Sequence, residues 1–220
     1  MNPSWAVFRK ELRTESRARN GFFTAGMFSV LAVVAIGLSS FGQRPSESLA
    51  AGMLSVTLLF SAVVALPRTF LVEEEQGTFS LLRLMASPEA IFTGKALYNF
   101  FQMMLTSVVL GVLFSGLVGR PVEVAWLYGL GLGVQAASLS SAMSLCSAMV
   151  MGASNRWILA GAMAGALLLP QIALGVGLFR VCFGEGSLVG GIQCLVGLAG
   201  YAVALGGLGP VLAGAVWRSE

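Results

Sequence analysis

Six apolar runs follow one another along the chain, each long enough to cross a bilayer as a helix and separated only by short polar breaks. They cover residues 22–40, 49–71, 95–118, 122–150, 157–182 and 188–216. A hydrocarbon core of about 30 Å takes about 20 helical residues to cross. Inside lipid the backbone must satisfy its own N–H and C=O groups, which these uninterrupted runs achieve as helices. The expected fold is therefore an all-α, polytopic membrane protein with six transmembrane helices. The breaks FGQRPSES, GRPVE, SNR and GEGS carry turn chemistry. They leave no room for a second domain, so residues 1–220 read as one unit.

Charge placement sets the expected orientation. With the N-terminus in the cytoplasm, Arg9, Lys10, Arg13, Arg17, Arg19, Arg68, Arg83, Lys95, Arg156 and Arg218 lie inside, and Arg44, Arg120 and Arg180 lie outside. The positive-inside rule then predicts both termini in the cytoplasm. Residues 72–94, the longest polar interruption, become a cytoplasmic loop between the second and third spans. Residues 1–21 carry too many charges for a signal n-region, and no small-x-small cleavage pattern follows the first apolar run. The expectation is a retained N-terminus.

Composition narrows the chemistry. The chain is 56% hydrophobic and 10% charged, against about 25% charged in a soluble domain. It contains no histidine, which excludes an imidazole base, a Ser-His triad and a His-ligated metal or haem within this subunit. Cys146, Cys182 and Cys194 lack CxxC spacing and read as small hydrophobes or inert thiols. The net charge of +3 follows topology and gathers no aromatic-interleaved patch, so nucleic acid is not an expected partner. No GxxxxGK[ST] phosphate loop is present. Any ATP used must be hydrolysed by another chain.

Ahead of the first span, Trp5, Phe8 and Leu12 recur at helical spacing while Arg9, Arg13 and Arg17 repeat every four residues. This pattern predicts an interfacial helix over residues 1–21, its arginines on anionic headgroups and Trp5 and Phe8 at the acyl boundary. A plain basic anchor is the simpler alternative.

Within the loop, Glu73, Glu74 and Glu75 end the second span, Gly77 breaks the helix, and Thr78 is a candidate N-cap. Phe79, Leu82 and Met85 or Ala86 share one face of a short helix. Ser87-Pro88-Glu89 then has the N-cap, N1 and first-turn acid of a second helix leading into the third span. A projecting helix with Phe79, Leu82 and Arg83 available suits a groove on a cytoplasmic partner. Packing of the same face on lipid or on the N-terminal helix stays open.

These residues also carry a resemblance. The string Glu75-Gln76-Gly77-Thr78-Phe79, Leu81-Leu82, Ser87-Pro88 and Gly94-Lys95-Ala96-Leu97 resembles the loop of type-2 ABC exporter permeases. More narrowly it is similar to the permease subunit of the cytochrome c maturation haem exporter, the haem exporter protein B family. The opening segment from Arg9 to Arg19 and the turn Ala153-Ser154-Asn155-Arg156 extend the likeness to nearly the whole chain. The resemblance implies one permease domain with residues 1–21 as interfacial helix, 22–71 as spans one and two, 72–94 as coupling loop and 95–220 as the remaining spans. It also implies a bacterial inner membrane location, a separate ATP-binding subunit carrying ATP and magnesium, haem as cargo of the complex, and a haem-handling membrane protein and haem chaperone as partners. ATPase coupling falls on Glu73, Glu74, Glu75, Gly77, Phe79, Leu82, Arg83 and Pro88. Whether haem passes through this subunit or ATP drives release of the loaded chaperone stays open, as do a general type-2 exporter of lipid, drug or peptide and a non-transporting scaffold. Six spans provide half of a two-fold exporter core, so a second permease copy is expected.

Inside the spans, Ser140 and Ser144 share a face of the fourth, and Gly161 and Gly165 form a GxxxG in the fifth, followed by Pro170. Helix packing and an ordinary proline kink account for these residues, with a hinge or path as the functional reading. No charged residue falls at a span centre, which argues against a proton relay or voltage sensor. Met103, Met104, Met143 and Met163 read as packing, and no residue qualifies as a haem ligand.

Overall fold

The computed structural model describes residues 3–18, 20–40, 43–75, 77–151 and 156–218. At residues 16–18, 20–25, 74–75, 79–80, 83, 156–158, 160–161 and 218 it describes the backbone alone. The described residues form helices α1 (Pro3–Ala18), α2 (Asn20–Ser39), α3 (Glu47–Ala65), α4 (Arg68–Glu75), α5 (Phe79–Met85), α6 (Pro88–Val118), α7 (Ala125–Met149), α8 (Arg156–Cys182) and α9 (Leu188–Arg218). No strand occurs among them.

Four helical stretches are long and apolar enough to cross a membrane: Glu47–Glu73, Pro88–Val118, Ala162–Cys182 and Leu188–Trp217. The described apolar part of α2, Gly26–Ser39, is shorter. The 25 residues of α7 rise about 37 Å at 1.5 Å per residue, but serines and a glutamine dilute their apolar character. They do so because α7 is the central helix, packed against α3, α4, α6, α8 and α9. Its buried side chains include Leu127, Leu132, Leu139 and Met143 together with Gln135, Ser138, Ser140, Ser144 and Ser147.

Local chemistry sets the helix ends. Pro67 has no N–H, and a proline ring clashes with the carbonyl one turn back. The run expected as a continuous second span therefore divides into α3 and α4 at Leu66–Pro67. Ser46 caps α3 by accepting from Leu49 N at 3.3 Å, and Ser87 caps α6 by accepting from Ala90 N at 3.4 Å, with Pro88 opening that helix. Gly119 ends α6 in the left-handed region at φ 67°, where a Cβ is penalised.

The main core is built by Leu54, Leu58, Leu110, Phe114, Leu139 and Phe179 from α3, α6, α7 and α8, with Phe183 from the turn after α8. A second cluster, Phe70, Ile91, Phe92 and Trp217, fastens α4, α6 and α9 together near α5. There Phe92 lies against Gly209, where an added Cβ would stand 2.2 Å from its Cζ.

Candidate functional site: a buried ion cluster beside the loop helix

The loop expected to break between two helices does so, as α5 followed by α6. Gly77 takes φ +67°. Thr78 has no side-chain bond to α5; its hydroxyl donates back to Glu73 O at 3.2 Å and closes α4. That replaces the N-cap role expected of it. Helix α5 divides its side chains. Leu82 is half-buried against the Phe70–Phe92–Trp217 cluster, whereas Leu81, Leu84 and Met85 are 59%, 85% and 77% exposed. Leu81 and Met85 border a cleft between α5 and α1, and with Leu84 they form an apolar patch that no described residue covers. The side chains of Glu74, Glu75, Phe79 and Arg83 lie outside the described residues.

Glu73 turns inward. It is buried, and it forms ion pairs with Lys10 and, at 2.9 Å, with Lys95. Its oxygens have no aligned hydrogen-bond donor among the described residues, so the contact is ionic. Lys95, on the second turn of α6, is 0% exposed. Its ammonium also donates to Glu11 at 3.0 Å and to Thr69 O at 2.5 Å, and lies 5.5 Å from the centroid of the Phe70 ring. Lys10 donates to Glu11 at 3.1 Å. Burial pushes the Lys10 ammonium below the usual lysine range; Glu11 opposes that shift and the nearby charge of Lys95 adds to it. Two carboxylates and two ammonium groups therefore balance where α1, α4 and α6 meet.

A hydrogen-bonded chain continues inward from this cluster. Thr69 Oγ1 donates to Asn99 Oδ1 at 2.6 Å. The amide of Asn99 donates to Leu66 O at 3.3 Å and to Ser144 Oγ at 2.9 Å. The route thus runs from α1 through α4 and α6 to central α7. A buried charge stripped of its partner costs several kcal/mol, so these helices are held in one relative placement. Lys95, expected as a cytoplasmic positive charge and as part of the Gly94-Lys95-Ala96-Leu97 string, is a structural ion, and neither Glu11 nor Asn99 has a local sequence signal for such a role.

The α1 face carrying the cluster docks closely on α6. A Cβ at Gly94 would stand 2.6 Å from both Ser4 O and Val7 Cβ, so glycine allows the helices to touch there. Trp5 stacks on Phe8 at 4.9 Å, and Phe8 meets Phe101 edge-on at 6.4 Å. Trp5, Arg9, Leu12 and Arg13 are exposed, whereas Val7 and Glu11 on the opposite side are buried; the side chain of Arg17 lies outside the described residues.

Deeper in the bundle, Ser140 Oγ donates to Ala137 O at 3.0 Å, and both it and Ser144 are buried. Gly165 is exposed, and a Cβ there would meet nothing within 4 Å, so it makes no close helix contact among the described residues. Gly161 lies outside the described side chains. Helix α8 runs on through Pro170. At the end of the bundle away from α5, Glu47 pairs with Arg120, and Glu185 pairs with Arg180 and accepts from Ser48. Among the described residues no group of His, Cys, Asp and Glu is placed to hold a metal ion.

A profile of the family described as CcmB protein matches residues 2–215. The chain belongs to the CcmB protein family. It is 30% identical over 186 residues to heme exporter protein B of Rhodobacter capsulatus, covering 81% of this chain and 79% of that protein. The part matched to the CcmB family contains the ion cluster, α5 and the four long apolar stretches. The family and the long apolar stretches together make this chain a multi-pass membrane protein.

Proposed function

We propose that the chain is the permease subunit of an ABC-type haem exporter in cytochrome c maturation, driven by ATP hydrolysis in a separate ATP-binding subunit. The observation that carries the coupling is the exposed face of α5, Leu81, Leu84 and Met85. It is an apolar patch on a short helix that lies outside the long apolar runs and begins six residues after Glu73 of the buried ion cluster. A groove on a partner would cover it. In this reading Phe79 and Arg83 join the contact, Leu82 anchors α5 to the body, Gly77 and Pro88 fix its two turns, and Glu73 passes displacement to Lys95 and α6.

Six spans, with α2 and α7 completing the four long apolar stretches, place both termini in the cytoplasm of an inner membrane. Two permease copies pair with two ATP-binding chains, and a haem-handling membrane protein and a haem chaperone complete the assembly. Haem is cargo, and no residue of this chain is assigned as its ligand. The name of the Rhodobacter relative supports the haem reading; a general exporter or a scaffold would share the fold. Purification of the complex from membranes, with identification and counting of its chains, tests the proposal. The expected result is an ATPase carrying a phosphate loop in equal number with this chain; one permease per two ATPases, or no ATPase, contradicts it.

A further inference from the structure

Helices α3 and α4 follow one another within the long stretch Glu47–Glu73, and the backbone ladder is interrupted where they meet. Pro67 has no N–H, so the carbonyl of Val63 one turn back loses its donor. The N–H groups of Phe70 and Leu71 both donate to Pro67 O at 3.2 Å. In an unbroken α-helix the Phe70 N–H would serve Leu66 O, so that carbonyl too is left without its helical donor. A proline break of this kind bends a helix at a defined point.

One side chain of α6 bridges the break. Asn99 is fully buried, and its amide donates to Leu66 O, at the end of α3, at 3.3 Å. Its Oδ1 accepts from Thr69 Oγ1, on the first turn of α4, at 2.6 Å. A carbonyl can only accept, so Leu66 fixes which way the amide faces and leaves Oδ1 for the Thr69 hydroxyl. The amide nitrogen also donates to Ser144 Oγ of central α7 at 2.9 Å. One planar group therefore holds both sides of the break and the middle of the bundle, in an interior where an abandoned polar group is costly. Past the break, α4 leads into the loop, and Thr78 N donates back to Glu73 O at 2.9 Å, so the start of α5 is carried by α4.

We propose that Leu66–Pro67 is a hinge between the helical bundle and a lever formed by α4 and α5, and that Asn99 is the positioning residue that holds the lever at one angle. A displacement of α5 that strains the Thr69–Asn99 bond also loosens the hold on Leu66 and Ser144, because the same amide serves all three. That use of the hinge rests on the coupling reading; the hinge itself does not.

The test is double electron–electron resonance on the chain purified from membranes with its bound partners and placed in lipid nanodiscs. Spin labels are carried on ketone-bearing unnatural side chains replacing Phe60, exposed on α3, and Thr78, exposed at the end of α4. Phe60 and Val112, both exposed on the bundle, form the reference pair. The parent chain should give one narrow distance between positions 60 and 78. Thr69→Val, which removes the hydroxyl, and Asn99→Leu should each broaden it into a second maximum, whereas Thr69→Ser, which keeps the hydroxyl, should match the parent. Adding Pro67→Ala, which restores the missing N–H, should return either variant to one narrow distance. The reference distance should stay fixed throughout. An unaltered distance in both Thr69→Val and Asn99→Leu overturns the latch, and broadening that survives Pro67→Ala overturns the hinge. Broadening of the reference pair marks general loosening and overturns both. Normal cytochrome c maturation in a Thr69→Val strain whose complex shows the second maximum leaves the hinge standing and contradicts its use in coupling.

Discussion

The two ends of the helical bundle handle charge in opposite ways. Near α5, Glu11, Glu73 and Lys95 are buried, and their contacts continue through Thr69 and Asn99 to Ser144, so four helices share one polar network. At the other end, Glu47–Arg120 and Arg180–Glu185 sit near tight turns that include the positive-φ residues Gly119, Gly184 and Gly186. The first arrangement joins sequence-distant helices through groups that are costly to separate. The second ties the start of α3 to the turns after α6 and α8 through carboxylate and guanidinium side chains that stay partly exposed, where water weakens each pair. The difference teaches that displacement applied at α5 has a buried polar route into the bundle, whereas among the described residues the pairs at the opposite end stay at the turns.

The contrast breaks first at Lys95. Lys95→Met leaves Glu11 and Glu73 with Lys10 alone, and the loss of one member of a buried ion pair costs about 3–5 kcal/mol. A marked drop in thermal unfolding temperature in detergent is expected; a change as small as that of a surface pair would erase the distinction between the ends. Gly94→Val comes next. The added atoms meet Ser4 O and Val7, so α1 must shift, at about 1–3 kcal/mol for overpacking. Limited proteolysis should then cut α1 faster than in the parent chain, and equal rates would contradict close α1–α6 docking.

At the far end the expected effects are smaller. Arg120→Gln removes the partner of Glu47 and should cost under about 1 kcal/mol, read by the same thermal unfolding. The smallest effect is the pH dependence of Glu185. Its carboxyl is held below the usual range by the hydrogen bond from Arg180 and then by that from Ser48. A depressed carboxylate stabilises the fold above its unfolded pKa of about 4.3, and that contribution disappears as pH falls through the folded value. Arg180→Gln should raise the Glu185 titration toward the ordinary value, followed by its carboxylate infrared band, and an unmoved band would contradict the pairing.

Local features were legible in the sequence, and distant ones were not. Ser87-Pro88-Glu89 announced the start of α6, and the Trp5–Phe8 and arginine spacings announced an exposed face of α1, because caps and helical periodicity act over a few residues. Pro67 is a breaker, but it sits inside the 23-residue apolar run 49–71, whose length points to one continuous span where the backbone divides into α3 and α4. Lys95 looked like a cytoplasmic charge because its main partner, Glu11, is 84 residues away. Gln135 and Gln171 gave no sign that α7 and α8 would bury them. Leu82 was grouped with outward residues by its spacing, but the Phe70–Phe92–Trp217 cluster, which takes one residue from each of three helices, turned that side of α5 inward.

The most direct measurement compares ATP-binding partner retention in Leu84→Asp and Arg120→Gln complexes purified under identical conditions. A charge in place of Leu84, 85% exposed, should leave thermal stability near that of the parent chain while abolishing partner co-purification and cytochrome c maturation. Arg120→Gln should retain both. An ATPase held equally by the two variants, with maturation intact, would contradict coupling through α5.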